Sequence, residues 1–179
     1  KKLLAHGYHE IGMDHFALKS DAMYQAFQQG SLHRNFMGYT ASKTQLMIGL
    51  GLSSISDSWY SFAQNEKTLE DYYARLEQNE IPVFRGHVLT AEDLMIRRHI
   101  LNLMCSFQTS WADPEMQFPE LPEVLKQLEE MQEDGLLTLF EDHLQVTEQG
   151  KPFVRNICMA FDLRLKRKVP STRIFSMTI

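Results

Sequence analysis

The stretch Gln45-Leu-Met-Ile-Gly-Leu-Gly-Leu-Ser-Ser-Ile55 decides how the first half of this chain is read. It is apolar and glycine-rich, which suits a parallel strand buried on both faces, with glycines that admit a ligand or another backbone. Upstream, Tyr8 to Ala17 alternates loosely between Gly7 and Lys19-Ser20-Asp21, so it is expected to form a single strand. Its odd side carries His9, Ile11, Met13 and His15; its other side carries Tyr8, Glu10, Gly12, Asp14 and Phe16. Asp21 is placed to cap a short helix over Ala22 to Gln29, ended by Gly30. Ser31 to Thr44 shows no periodicity and is expected to be an ordered loop. After a turn-rich piece around Tyr60, Gln64 and Asn65, Thr68 with Asp71 three residues on opens a helix to Gln78, and Pro82 to Leu89 reads as a short strand or extended linker. Helix and strand in alternation give an α/β class with a parallel sheet.

The pattern changes at Thr90. Thr90-Ala-Glu-Asp93 is a capping box that opens a helix to about Phe107, apolar on more than one face and therefore buried. A second helix over Leu121 to Glu133 has Pro122 in its first turn. Leu136 to Phe140 and His143 to Val146 predict a hairpin, and one long helix is expected to follow Thr147 and run to about Arg167. Helix, helix, hairpin, helix is a mainly helical, winged-helix-like layout. The expected domains are therefore residues 1–89 and 90–179.

A hydrophobic content of 44%, with eleven Phe and ten Met, is enough for a real core. The net charge of −5 gives the whole chain no pull toward nucleic acid or an anionic membrane. The charge is uneven: Arg155, Arg164, Lys166, Arg167, Lys168 and Arg173 face only Asp162 over the same span. Such a run reads as a solvated helix end, with contact to an anionic ligand or to another part of the protein as the alternative. DNA is disfavoured despite the winged-helix layout, because the second helix region carries Glu120, Glu123, Glu129, Glu130, Glu133 and Asp134 against Lys126. Two cysteines, Cys105 and Cys158, lie in apolar helical segments, which fits a reducing, cytoplasmic setting without disulfides. No run reaches the ~18 apolar residues of a membrane span, and no signal peptide is expected. Lys1 to Gly7 reads as the last turn of a helix capped by glycine, so the chain is expected to be a piece of a longer protein.

Among the seven histidines none has the spacing of a metal motif, and no Cys-x2-Cys occurs. Asp14 and His15 fall near the end of the first expected strand, the end that faces the active site in parallel α/β folds. They read equally as a substrate contact or proton relay, or as part of a structural ion pair, for instance with Arg34. Arg34 offers a fork of donors suited to carboxylates, with His33 and Tyr39 beside it and Gly38 allowing close approach. Gly49-Leu-Gly51 lacks the third glycine of a dinucleotide fingerprint. Ser53, Ser54 and Ile55 at the expected strand end suit a flat adenine-type ring instead.

Several long strings occur in order: Ile11-Gly-Met-Asp-His-Phe-Ala17, His33-Arg-Asn-Phe-Met-Gly-Tyr-Thr40, Gly49-Leu-Gly-Leu-Ser-Ser-Ile-Ser56, Ala63-Gln-Asn-Glu-Lys-Thr68, Leu89-Thr90, Ile96-Arg-Arg98 and Arg155-Asn-Ile-Cys-Met-Ala-Phe-Asp162. The set closely resembles the oxygen-independent coproporphyrinogen III oxidases of the radical S-adenosylmethionine superfamily. That resemblance covers essentially the whole chain. It implies oxidative decarboxylation of coproporphyrinogen III to protoporphyrinogen IX, two propionates becoming vinyl groups. It implies a 4Fe–4S cluster and S-adenosylmethionine as cofactors, a second S-adenosylmethionine nearby, and a monomeric, cytoplasmic enzyme. The family holds its cluster with Cys-x3-Cys-x2-Cys, which Cys105 and Cys158 cannot supply. The resemblance therefore makes this chain the C-terminal part, with the last strands of a partial barrel and the helical terminal domain, inactive alone. It carries over Ile55 as an S-adenosylmethionine contact, and leaves Asp14 and Arg34 as the candidates for substrate contact. A haem-binding, haem-trafficking or haem-modifying relative is the alternative, but the His33–Thr40 and Arg155–Asp162 strings favour the oxidase.

Overall fold

The computed structural model describes residues 2–167. It divides into two compact units, Lys1–Arg97 and Arg98–Ile179, with the division falling inside one helix, α4 (Ala91–Ser106).

In the first unit a short helix α1 (Lys2–Ala5) ends at Gly7, whose φ of +82° only glycine adopts cheaply. The expected single strand over Tyr8 to Ala17 is instead a hairpin, β1 (Tyr8–Gly12) against β2 (His15–Leu18), antiparallel with Glu10 opposite Phe16. Met13 and Asp14 form its two-residue turn, both with positive φ (44° and 63°), the backbone that a tight hairpin turn requires. Asp21 caps α2 (Ala22–Gln28) as expected, its carboxylate accepting from the Met23 N–H at 2.8 Å. The expected loop over Ser31 to Thr44 also contains a hairpin, β3 (His33–Asn35) against β4 (Gly38–Thr40). Its turn is closed by the Met37 N–H donating to Asn35 Oδ1 at 2.9 Å.

The stretch Gln45–Ile55 is where expectation and structure part most clearly. Only Leu46–Met47 (β5) and Ile55, the start of β6 (Ile55–Ser58), are strand. Between them the chain turns, with Gly51 at φ +95° and Ser53 at φ +59°. Any side chain at Gly49 would place its Cβ 2.7 Å from the Ile55 carbonyl oxygen, so the glycine serves a turn folded on its own exit strand. The turn is clamped by Asn65, whose buried amide donates to Gly51 O at 2.9 Å and Gly49 O at 3.3 Å. The aliphatic side chains point outward, Leu50 being 87% exposed.

β5, β6, β7 (Ser61–Asn65) and β8 (Val83–Val88) form one antiparallel sheet in that order. No strand pair among the described residues is parallel. The mixture of helix and strand stands; the parallel sheet is overturned. The reason is partly local: β1–β2, β3–β4 and β6–β7 are joined by two-residue turns, which antiparallel pairs accept and parallel pairs, needing a long crossover, cannot use, whereas β7 and β8 pair antiparallel across the longer connection of residues 66–82. The helix cap at Thr68 is as expected, with Thr68 Oγ1 accepting from the Asp71 N–H at 3.2 Å ahead of α3 (Leu69–Glu77). So is the capping box at α4, where the Thr90 N–H donates to Asp93 Oδ2 at 2.8 Å.

The second unit is built on Leu103, Val124, Leu128, Leu137, Leu144, Val154, Ile157 and Phe161, none more than 1% exposed. The helix α5 (Leu121–Glu133) buries Leu121, Val124 and Leu128 and leaves its acidic residues outside. The expected hairpin forms as β10 (Leu137–Leu139) and β11 (His143–Val146), and a further strand, β9 (Gln108–Ser110), pairs with β11. The single long helix expected after Thr147 is broken into a 3-10 turn at Lys151–Phe153, α6 (Val154–Phe161) and α7 (Leu163–Arg167). Asp162 makes the break: its carboxylate accepts from the Leu165 N–H at 2.9 Å and starts a new helix. Of the basic run, Arg167 pairs with Glu120 at the head of α5. Burial pulls the Lys166 ammonium below its ordinary range, against Asp162, Glu120 and Glu123, which raise it. Lys168 and Arg173 lie outside the described residues. Among the described residues no helix is long and apolar enough to cross a membrane.

Candidate functional site

The β3–β4 hairpin places Arg34 opposite Tyr39, and the guanidinium lies over the Tyr39 ring at 4.8 Å. On Tyr39's other contact, the His15 ring meets it edge-on at 5.0 Å, and His15 Nδ1–H donates to the Met13 carbonyl at 2.9 Å. Gly38, at φ +131°, leaves room for that imidazole: a Cβ there would sit 3.1 Å from His15 Nε2. Packing in this way withdraws Arg34 Nη1 from solvent without giving it a hydrogen-bond partner among the described residues. A buried donor without an acceptor costs about 1–3 kcal/mol, more when charged.

Asp14 does not share this environment. It sits exposed at the turn between β1 and β2, and forms no ion pair with Arg34 among the described residues. Ile55 is half-buried at the start of β6, opposite Gln64 and against the Gly49 turn. The Ser54 hydroxyl beside it is committed to Gly51 O at 2.6 Å. Asp14, Arg34 and Ile55 thus stand in three separate local settings.

The sequence reading missed a fourth. A cleft of about 480 Å³ opens between β3, the segment leading into β5, and the end of β6. Its floor is Arg97, whose guanidinium donates to Asp57 Oδ1 at 2.8 Å, Ser58 O at 2.7 Å and Trp59 O at 3.2 Å. The same group lies 5.0 Å from the Trp59 ring and 4.9 Å from Phe62. Asp57 is 6% exposed, a carboxylate position made tolerable by its partner. Burial, together with the cations of Lys43 and Arg97, holds the His33 imidazole below the usual histidine range; Asp57 opposes this. Arg97 was visible only inside the string Ile96-Arg-Arg98. Its partner lies forty residues away in sequence, so no local pattern announces the pair.

Among the described residues no group of three or more His, Cys, Asp or Glu is placed to hold a metal ion. The chain's two cysteines, Cys105 half-buried and Cys158 buried, do not make the three-thiolate set of a 4Fe–4S site.

Residues 89–153 match the family profile described as the HemN C-terminal domain. The chain is 40% identical over 167 residues to the oxygen-independent coproporphyrinogen III oxidase of Escherichia coli K12, covering 90% of this chain and 36% of that protein. The chain is similar over most of its length to the oxygen-independent coproporphyrinogen III oxidases. A relative of the same name from Thermostichus vulcanus is 40% identical over 185 residues, covering all of this chain and 56% of its own length. The fold agrees. The solved E. coli coproporphyrinogen III oxidase (HemN), described as a radical SAM enzyme, superposes with a TM-score of 0.84 at 37% identity, over 92% of this chain and 39% of that one. The chain spans between about a third and just over half of these oxidases, and corresponds to their C-terminal portion.

Proposed function

We propose that this chain is the C-terminal part of an enzyme that oxidatively decarboxylates coproporphyrinogen III to protoporphyrinogen IX in anaerobic haem biosynthesis. The observation that supports this most is the 40% identity to the E. coli oxidase across nine-tenths of the chain. In that enzyme residues 1–89 complete the partial barrel, and residues 90–179 form the mainly helical, winged-helix-like domain. The cofactors are S-adenosylmethionine and a 4Fe–4S cluster whose three cysteine ligands lie outside this chain; together they supply the radical that removes a hydrogen atom from a substrate propionate. The chain's own residues bind and enclose. Ile55 packs against S-adenosylmethionine from the start of β6. Arg34 supplies a substrate propionate with the Nη1–H that is buried without a partner among the described residues. Asp14, exposed at the hairpin turn, is the second polar candidate. The intact enzyme is a cytoplasmic monomer acting on a porphyrinogen, with no nucleic acid or membrane partner.

The test is an anaerobic assay of the full-length protein, reconstituted with iron and sulfide and given a reductant, S-adenosylmethionine and coproporphyrinogen III. Formation of protoporphyrinogen IX is expected. Stoichiometric haem binding with no turnover would instead make it a haem-handling relative.

A further inference from the structure

The cleft over Arg97 is not needed to place Ile55, Arg34 or Asp14, yet it is built like a binding site. Its volume of about 480 Å³ lies within the ~300–1,000 Å³ typical of small-molecule pockets. Arg97 donates to Asp57 and to two carbonyls, so it fixes the floor and neutralises the buried carboxylate of the cleft. That leaves Lys43 as the uncompensated charge. It is exposed at the rim, and no carboxylate pairs with it among the described residues. The cleft is lined as well by Trp59, Tyr60 and Met47, with Tyr60 65% exposed although it is a large aromatic side chain. An exposed cation and aromatic side chains in one cleft match a ligand with a carboxylate on a short arm and an apolar ring beside it.

We infer that this cleft is a carboxylate-anchoring subsite, in which Lys43 holds a carboxylate and Trp59, Tyr60 and Met47 receive the ring that bears it. Resting on the function proposed above, the ligand is one propionate-bearing edge of the porphyrinogen. Arm and ring lie together at such an edge, and an edge anchored here keeps its propionate at a lysine. Lys43 is then a specificity-determining contact. Arg97 is a positioning residue, acting through Asp57 and the backbone of Ser58 and Trp59.

Two probes on the 179-residue chain test this. Coproporphyrin III, the stable oxidised tetracarboxylate, is titrated calorimetrically. 3-Phenylpropionate and its neutral amide are titrated by amide-resolved NMR. The expected result is that coproporphyrin III binds, that Lys43→Met weakens it about tenfold, that Lys43→Glu weakens it further and that Lys43→Arg restores it, in line with loss of one charge-assisted contact. Phenylpropionate should shift the His33, Lys43 and Trp59 amides and its amide should not. Equal coproporphyrin binding by Lys43→Met and Lys43→Glu would overturn the subsite while leaving the oxidase reading in place. Lys43-dependent binding of phenylpropionate with no binding of coproporphyrin III would keep the carboxylate cleft and remove its tetrapyrrole ligand. Response to neither probe would remove the cleft as a site whatever the enzyme does. Folding of each variant is checked by the unshifted amides of β1, β2 and β8, in the same unit but outside the cleft.

Discussion

Arg34 and His99 are both polar side chains withdrawn from water, one in each unit, and they are treated in opposite ways. His99 is fully buried and both ring nitrogens are used: Nδ1 accepts from the Thr109 hydroxyl and Nε2–H donates to the Met116 carbonyl, each at 2.8 Å. Its ring stacks on Phe161 at 5.1 Å and meets Phe118 at 5.8 Å. Arg34 buries a charged donor and leaves it without an acceptor among the described residues. A polar group with every bond made within the fold is structure. One whose bond is left open is what a ligand-facing surface looks like before its ligand arrives.

Substitutions should sort by that contrast. The largest effect belongs to Arg97, the satisfied charge of the first unit. Arg97→Ala strands Asp57, which is 6% exposed, and should cost about 3–5 kcal/mol in urea unfolding. A loss under 1 kcal/mol would mean the pair contributes nothing to the fold. His99→Ala comes next, at about 3 kcal/mol, because it opens a cavity and orphans both Thr109 and Met116.

His99 also gives the second unit a pH dependence of known sign. Burial holds its imidazole below the ordinary value of 6.5, with the Met116 bond opposing. The unfolded chain therefore binds the proton more readily than the folded one. The stability from neutral His99 is present above pH 6.5 and is lost as pH falls below it, by at most about 1.4 kcal/mol per pH unit. Unfolding midpoints from pH 7.5 to 5 should show this loss in the parent and a flatter profile in His99→Leu. Equal slopes would mean His99 is not the titrating group. Arg34→Ala should have the smallest effect on stability, under about 1 kcal/mol, since the lost stacking on Tyr39 is offset by relief of the buried donor.

What could be read from the sequence follows the range of the physics involved. Asp21, Thr68 and the Thr90–Asp93 box were legible, because a cap is decided within three residues. Gln45–Ile55 was misread because an apolar run is the same string whether a sheet buries it or a turn exposes it. What separates the two is the Asn65 clamp, supplied from another strand. The β3–β4 hairpin was hidden because its turn is Phe36-Met37, without the usual Asn-Gly signature, and is closed by the Asn35 side chain instead. Arg34 was legible as a residue type, but its open bond was not. The cleft was invisible, since Asp57 and Arg97 meet only through the fold.

The open bond on Arg34 is kept for the substrate rather than for the fold. The measurement is turnover of coproporphyrinogen III by the full-length enzyme and its Arg34→Ala variant under anaerobic conditions, set beside their thermal midpoints. Turnover is expected to fall at least tenfold with the midpoint moved by no more than about 2 °C. Unchanged turnover with a clearly lowered midpoint would contradict it.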